Sequence, residues 1–276
     1  MFTRIRIVLF SRNLPSAFAL LMATFCYPLQ AATPQEELAL MGVNFDQNNF
    51  TLYAGRGDLK VVTLFLQSGM SPNIVESKFG YSPIVYASGH GYQKVVEALV
   101  THGADVNLPN NDGYTSLIAA AHYGHRGVVG YLLNHSALID HLPKLGPTAL
   151  IAAIQRGQSG IAELLLLRGA SPFLADRAGT TPLIAAAYSG RTNLIDALIG
   201  LGIDVNQKNS MDDTALHVSV RNNHISAVRR LLAAGANIRL KNVDGLTPLI
   251  IAQRKNYKEI EILIKKNNEQ SRKKIT

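Results

Sequence analysis

Eight histidines are the first residues in this chain that invite a chemical reading. His122 and His125 stand three apart, a separation that places two side chains on one helical face. A zinc site needs three or four converging nitrogen, sulfur or oxygen ligands, and no Cys, Asp or Glu joins this pair at a suitable spacing. His-Glu-x-x-His is absent, and so is a phosphate-binding glycine loop. Gly157-Gln158-Ser159-Gly160 misses the Gly-x-Ser-x-Gly spacing of a nucleophile elbow. Gly55-Arg56-Gly57 and Gly89-His90-Gly91 lack the third glycine and the preceding strand of a dinucleotide site. These residues assemble no catalytic constellation, so neither an enzyme activity nor a metal or cofactor is expected.

The same residues fall on a lattice that explains them differently. Six segments open at Ser82, Thr115, Thr148, Thr181, Thr214 and Thr247, at one constant interval without drift. Five of them carry Ala at the sixth position. A fixed period of this length signals stacked supersecondary units. In each unit a turn such as Asn111-Asp112-Gly113 leads to a Ser or Thr suited to cap a helix, and Pro83, Pro182 and Pro248 suit the first helical position. A short alanine-rich helix then ends at Gly57, Gly91, Gly124, Gly157 or Gly190, or at Asn223 or Asn256, all tolerant of a left-handed cap. A second helix with apolar residues at helical spacing follows, as in Val95, Val96 and Leu99, and ends near Gly103 and its equivalents, with Ser136 the exception.

This pattern resembles the ankyrin repeat family, whose 33-residue period and Thr-Pro-Leu-His-x-Ala signature it shares; Thr214-Ala215-Leu216-His217 carries the signature histidine. A degenerate unit, with Phe50, Ala54 and Gly57 in register but one residue longer between Asn73 and Gly80, precedes the six. The resemblance implies an all-α solenoid of about seven stacked helix-turn-helix units over residues 48–266, starting near 48, 82, 115, 148, 181, 214 and 247. Residues 32–47 read as an N-terminal linker or cap and 267–276 as a basic polar tail. His217, at the signature position, is expected to be a structural hydrogen-bonding residue.

The segment 1–31 lies outside the lattice. Arg4, Arg6 and Arg12 precede the apolar run Ala17–Phe25 and the small residues Ala31 and Ala32, the pattern of a cleaved secretory signal peptide. The run is short for a membrane span, with an uncleaved anchor and lipidation at Cys26 as the alternatives weighed. Loss of the leader would remove Cys26, the only cysteine, and take the net charge from +8 to +5 by deleting three arginines. A periplasmic or secreted monomer without a membrane span is expected, resembling bacterial exported ankyrin proteins. The mild positive charge is read as a solvated surface with a basic tail, and no nucleic-acid partner is expected.

In the family, partners contact loop tips and the exposed ends of the first helices along a concave face. Carried onto this chain, the resemblance implies a protein-binding row of Arg56, His90, Tyr123 and Arg156, with Tyr188 and Arg221 beside it. Tip residues Phe79, Tyr81, Tyr114 and Arg177 complete the candidate surface. Tyr and Arg suit this role because they join large contact area to a polar handle. The expected function is a non-enzymatic scaffold for another protein. A secreted effector acting on a host protein and a periplasmic accessory factor for an enzyme are the other readings.

Overall fold

A computed structural model of the protein describes residues 31–273. The segment 1–31, read above as a signal peptide, lies outside the described residues but for Ala31. Within them the fold is all helical, with 15 helices in seven pairs preceded by a single one. The single helix is α1 (Pro34–Leu40). The pairs are α2 and α3 (Gln47–Arg56, Leu59–Gln67), α4 and α5 (Pro83–Gly89, Gln93–Thr101), α6 and α7 (Ser116–Tyr123, Arg126–Asn134), and α8 and α9 (Ala149–Gln155, Ser159–Leu167). They continue as α10 and α11 (Pro182–Ser189, Thr192–Gly200), α12 and α13 (Ala215–Arg221, Ile225–Ala233), and α14 and α15 (Pro248–Arg254, Lys258–Lys273).

Local chemistry sets each boundary. Thr115, Thr148, Thr181 and Thr247 cap their helices by accepting the backbone N–H three residues on, at 3.2–3.4 Å. The first helix of each unit then closes on a left-handed residue. Glycine takes it at no steric cost, as at Gly124, and asparagine replaces it at Asn223 and Asn256, both with φ of 57°. Ser136, where the other units have glycine, is also left-handed, with φ of 63°.

Two layers result. The first helices α2, α4, α6, α8, α10, α12 and α14 pack successively on one another. They are short and rich in buried alanine (Ala119–Ala121, Ala152, Ala153, Ala185–Ala187), which lets their backbones approach closely. The second helices form the other layer and bury Val, Leu and Ile, such as Val129, Leu132, Leu165 and Leu198. Across both layers the apolar core is continuous from Leu38 to Ile264.

The segment read as a linker or cap is a helix with its own start signal. Thr33 and Glu36 form a reciprocal capping box, with Glu36 Oε2 accepting the Thr33 N–H at 2.8 Å. Leu38 of α1 is fully buried, and α1 packs on α3 as the second helix of a preceding unit would. At the other end α15 continues to Lys273, past the expected boundary at residue 266. No Gly or Pro follows Lys258 to stop it. Among the described residues no helix is long and apolar enough to cross a membrane.

Fingers between units are built by one repeated device. Asn110, Asp176, Asn209 and Asn242 each accept the backbone N–H groups two and four residues on, at 2.7–3.1 Å. In the first finger, which has the additional residue, Glu76 does this with its longer side chain, reaching the N–H groups of Lys78, Phe79 and Tyr81. Burial acts to raise the Glu76 pKa, but these donors outweigh it and hold the carboxyl below the usual range.

Candidate binding surface

The inner layer positions the candidate row. Arg56, His90, Tyr123 and Arg156 end or follow their first helices and are all exposed, Tyr123 by 63%. Three hollows interrupt this face. The first, of about 330 Å³, brings Tyr81, His90, Tyr114 and Tyr123 together, with Tyr86 as a further wall. A neighbouring hollow of about 460 Å³ joins Arg56 to His90, with Leu52, Glu76 and Tyr86. A third, of about 300 Å³, holds Tyr188 and Arg221 with Gln155 and Met211.

The tyrosine cluster is packed from its own side chains. The Tyr81 and Tyr86 ring centroids lie 5.2 Å apart. Phe79 meets Tyr81 edge-on, with centroids 6.3 Å apart, an arrangement aromatic quadrupoles favour. The Tyr114 hydroxyl lies 3.3 Å from His122 Nδ1. Burial, helped by the neighbouring Tyr123 and Tyr81, pushes the Tyr114 hydroxyl up to about 12, so it stays a neutral donor at any physiological pH. Burial and then the Arg156 charge lower the His122 pKa, so that ring is neutral as well.

Two predicted site residues are engaged within the fold. Arg221 makes a two-pronged ion pair with the buried Asp213 carboxylate, a geometry that strengthens both bonds. Its Nη1 donates to Oδ2 at 2.5 Å. Its Nη2 donates to Oδ1 at 2.8 Å. The pairing raises the Arg221 pKa. Asn242 also donates to Asp213, at 3.1 Å. Arg177 donates through Nε to the Pro143 carbonyl at 3.1 Å, in the one finger where proline stands in the asparagine position. Tyr81, Tyr114 and His90 also have partners within the fold, whereas Tyr123 and Tyr188 are exposed by 63% and 59%. Among the described residues neither Arg56 nor Arg156 is in an ion pair.

Tyr86, Leu52 and Glu76 were not foreseen as part of this surface. Tyr86 had a visible signal, because later units carry Ala119, Ala152 and Ala185 in its column. Leu52 stands in the same column one unit earlier, whereas Glu76 had no signal, since the longer first loop breaks its register.

The fold accounts for every histidine. His125, His141 and His224 donate through Nε2 to the carbonyls of Gly89, Gly113 and Tyr188 in the preceding units. His90, His102 and His135 donate through Nδ1 to a carbonyl one helical turn earlier, and His122 faces Tyr114. His217 is fully buried and bonded on both nitrogens. Among the described residues no three potential ligands converge on a metal position.

The family model of ankyrin repeats matches residues 50–142, 138–209 and 193–274, covering nearly all of the described solenoid. The chain belongs to the ankyrin repeat family. Its fold resembles the crystal structure of the human ASB11 ankyrin repeat domain, with a TM-score of 0.65 and 26% identity over 73% of this chain and 90% of that one. It is similar also to the ankyrin repeat domain of Bcl-3, described as a unique member of the IkappaB protein family, with a TM-score of 0.64, 26% identity, and 78% and 97% coverage. A curated relative, the ankyrin repeat-containing protein P1E11.10 of Schizosaccharomyces pombe, is 38% identical over 64 residues. That alignment spans 23% of this ankyrin chain and 30% of the yeast protein. Ankyrin repeats generally mediate protein–protein interaction.

Proposed function

We propose that this ankyrin protein is an exported, non-enzymatic scaffold that holds another protein against the inner helix ends and finger tips. The observation that carries the reading is the exposed Tyr123, Arg56 and Arg156 beside hollows, on a framework held by helix caps and inter-unit side-chain bonds. Export rests on Arg4, Arg6 and Arg12 before the apolar run Ala17–Phe25, and on a solenoid free of cysteine after residue 26.

Binding is tested by crosslinking partners to the wild-type protein and to a Tyr123→Ala, Tyr188→Ala double variant. Loss of the crosslinked species at unchanged melting temperature supports the reading, and undiminished crosslinking refutes it. Cell fractionation with N-terminal sequencing tests export: a product beginning near Ala32 outside the cytoplasm is expected, and an unprocessed cytoplasmic chain contradicts it.

A further inference from the structure

We propose that the tyrosine-lined hollow of the first three units takes an extended, acidic segment of a partner protein, anchored by one aromatic or proline side chain. This rests on the concave-face reading and narrows it to a partner chemistry.

Shape gives the anchor. The hollow is walled by Tyr81, Tyr86, Tyr114, Tyr123 and His90 over a floor of Val85, Gly89 and Ala119, room for a side chain and not for a packed element. Gly89 is the sharpest clue. It ends α4 without a positive φ, and a Cβ placed there would lie 3.6 Å from Tyr123 and 3.7 Å from Ala119, in ordinary contact. The fold therefore does not require glycine, although glycine costs helix stability relative to alanine. Gly55, one unit earlier, is alike: its Cβ would lie 3.5 Å from Tyr86. A local rule broken at Gly89 in this hollow and at Gly55 in the adjoining one, without gain in packing, marks a surface kept open.

Charge gives the rest of the segment. Arg56 and Arg156 flank the tyrosines and are not ion-paired among the described residues. Arg56 stands in the adjoining hollow. Glu76 lines the adjoining hollow and not the tyrosine hollow, and its oxygens already accept three backbone N–H groups. Lys78 lies at the rim, 4.8 Å from the Phe79 ring. An acidic chain complements this rim, whereas the chain's own ends, with Arg4, Arg6 and Arg12 at one and Arg272, Lys273 and Lys274 at the other, would be repelled.

The test selects from a random 12-residue peptide display library on the immobilised full chain. Enriched peptides are expected to place Asp or Glu around a Tyr, Phe, Trp or Pro. A dye-labelled winner should lose about tenfold or more in affinity, a hot-spot effect, with Tyr123→Ala, Arg56→Glu or Arg156→Glu. Gly89→Ala should weaken binding while raising the melting temperature, which separates a filled hollow from a damaged fold. Glu163→Ala, exposed on α9 in the other layer, should change nothing. No enrichment, winners without acidic excess, displacement by a 12-nucleotide single strand, or a dimer that dissociates as peptide binds would each overturn the proposal. Neutral winners that still require Tyr123 would leave the concave-face reading standing. Winners indifferent to Tyr123, Tyr188 and both arginines would remove that reading too.

Discussion

His217 shows how one residue couples the fold to pH. Its Nδ1 accepts from the Thr214 hydroxyl at 2.9 Å, and its Nε2–H is shared by the Leu240 and Leu246 carbonyls at 3.1 and 3.2 Å. This network needs the neutral ring. Burial pushes the His217 pKa below its ordinary 6.5, against the opposing pull of Asp213. A depressed folded pKa means that the stability is complete above about 6.5 and is lost as pH falls toward the folded value. His217→Gln, which retains a donor and an acceptor, should cost about 1 kcal/mol at neutral pH and flatten the decline between pH 7 and 5. Urea titrations at both pH values check this, and parallel wild-type and variant profiles would contradict it. Arg221→Ala should cost about 1 kcal/mol in the same assay, a figure discounted because the guanidinium is partly solvated. The loss comes from stranding Asp213, whose side chain is only 5% exposed. Sequence alone showed the histidine's structural role through its signature position. It did not show the Asp213 pair, because Arg221 follows Asp213 by eight residues and they meet only when the finger folds back onto the helix.

Between elements, a ladder of side chains at the unit ends ties each repeat to the next. Asn73 accepts the Asp105 N–H and Asn107 that of Leu138, each at 2.7 Å, and their amides donate to the Gly103 and Ser136 carbonyls. Asp140 and Asn206 accept from Ser171 and Asn237 in the same way. Phe173 interrupts the ladder and is 58% exposed. At the same junction α9 and α11 are the outer-layer neighbours that approach each other least, and Leu167 beside them is 83% exposed. Asn107→Ala should therefore cost about 1–2 kcal/mol, since it removes two inter-unit bonds. Phe173→Asn should add about 0.5–1 kcal/mol by restoring one rung, and slow amide exchange in α9 and α11. Faster exchange in those helices would show that Phe173 contributes packing that the ladder does not. The helices themselves were legible because caps and left-handed ends are local: Asn223, Asn256 and Ser136 were placed correctly from their register. Thr33-Pro34-Gln35-Glu36 carries an equally plain start signal for α1, but it lies outside the repeat lattice, within the segment read as a linker or cap. Asp212, left-handed with φ of 55°, was missed because its column otherwise holds glycine.

Over the whole molecule, stability should behave as a chain of neighbours, because helix packing among the described residues runs chiefly between adjacent units. The tyrosine hollow uses units one to three, and the C-terminal unit lies far along the stack. Damage at that end should leave the hollow intact. Ile260 and Ile264 on α15 are fully buried against the preceding unit. Ile260→Ala should therefore cost about 2–4 kcal/mol locally. In a compact globular domain the loss would appear at every amide. In this solenoid it should raise exchange in α14 and α15, diminish through α12 and α13, and vanish before α6. Peptide affinity at the tyrosine hollow should stay within about twofold, since distant independent sites add without coupling. The equivalent change at Leu132 on α7, also fully buried, should instead loosen units on both sides and reduce affinity with stability. Exchange measured by mass spectrometry on both variants distinguishes the two patterns. Uniform loss of protection in Ile260→Ala would mean that the seven units unfold as one cooperative body, and that the hollow depends on the far end of the stack.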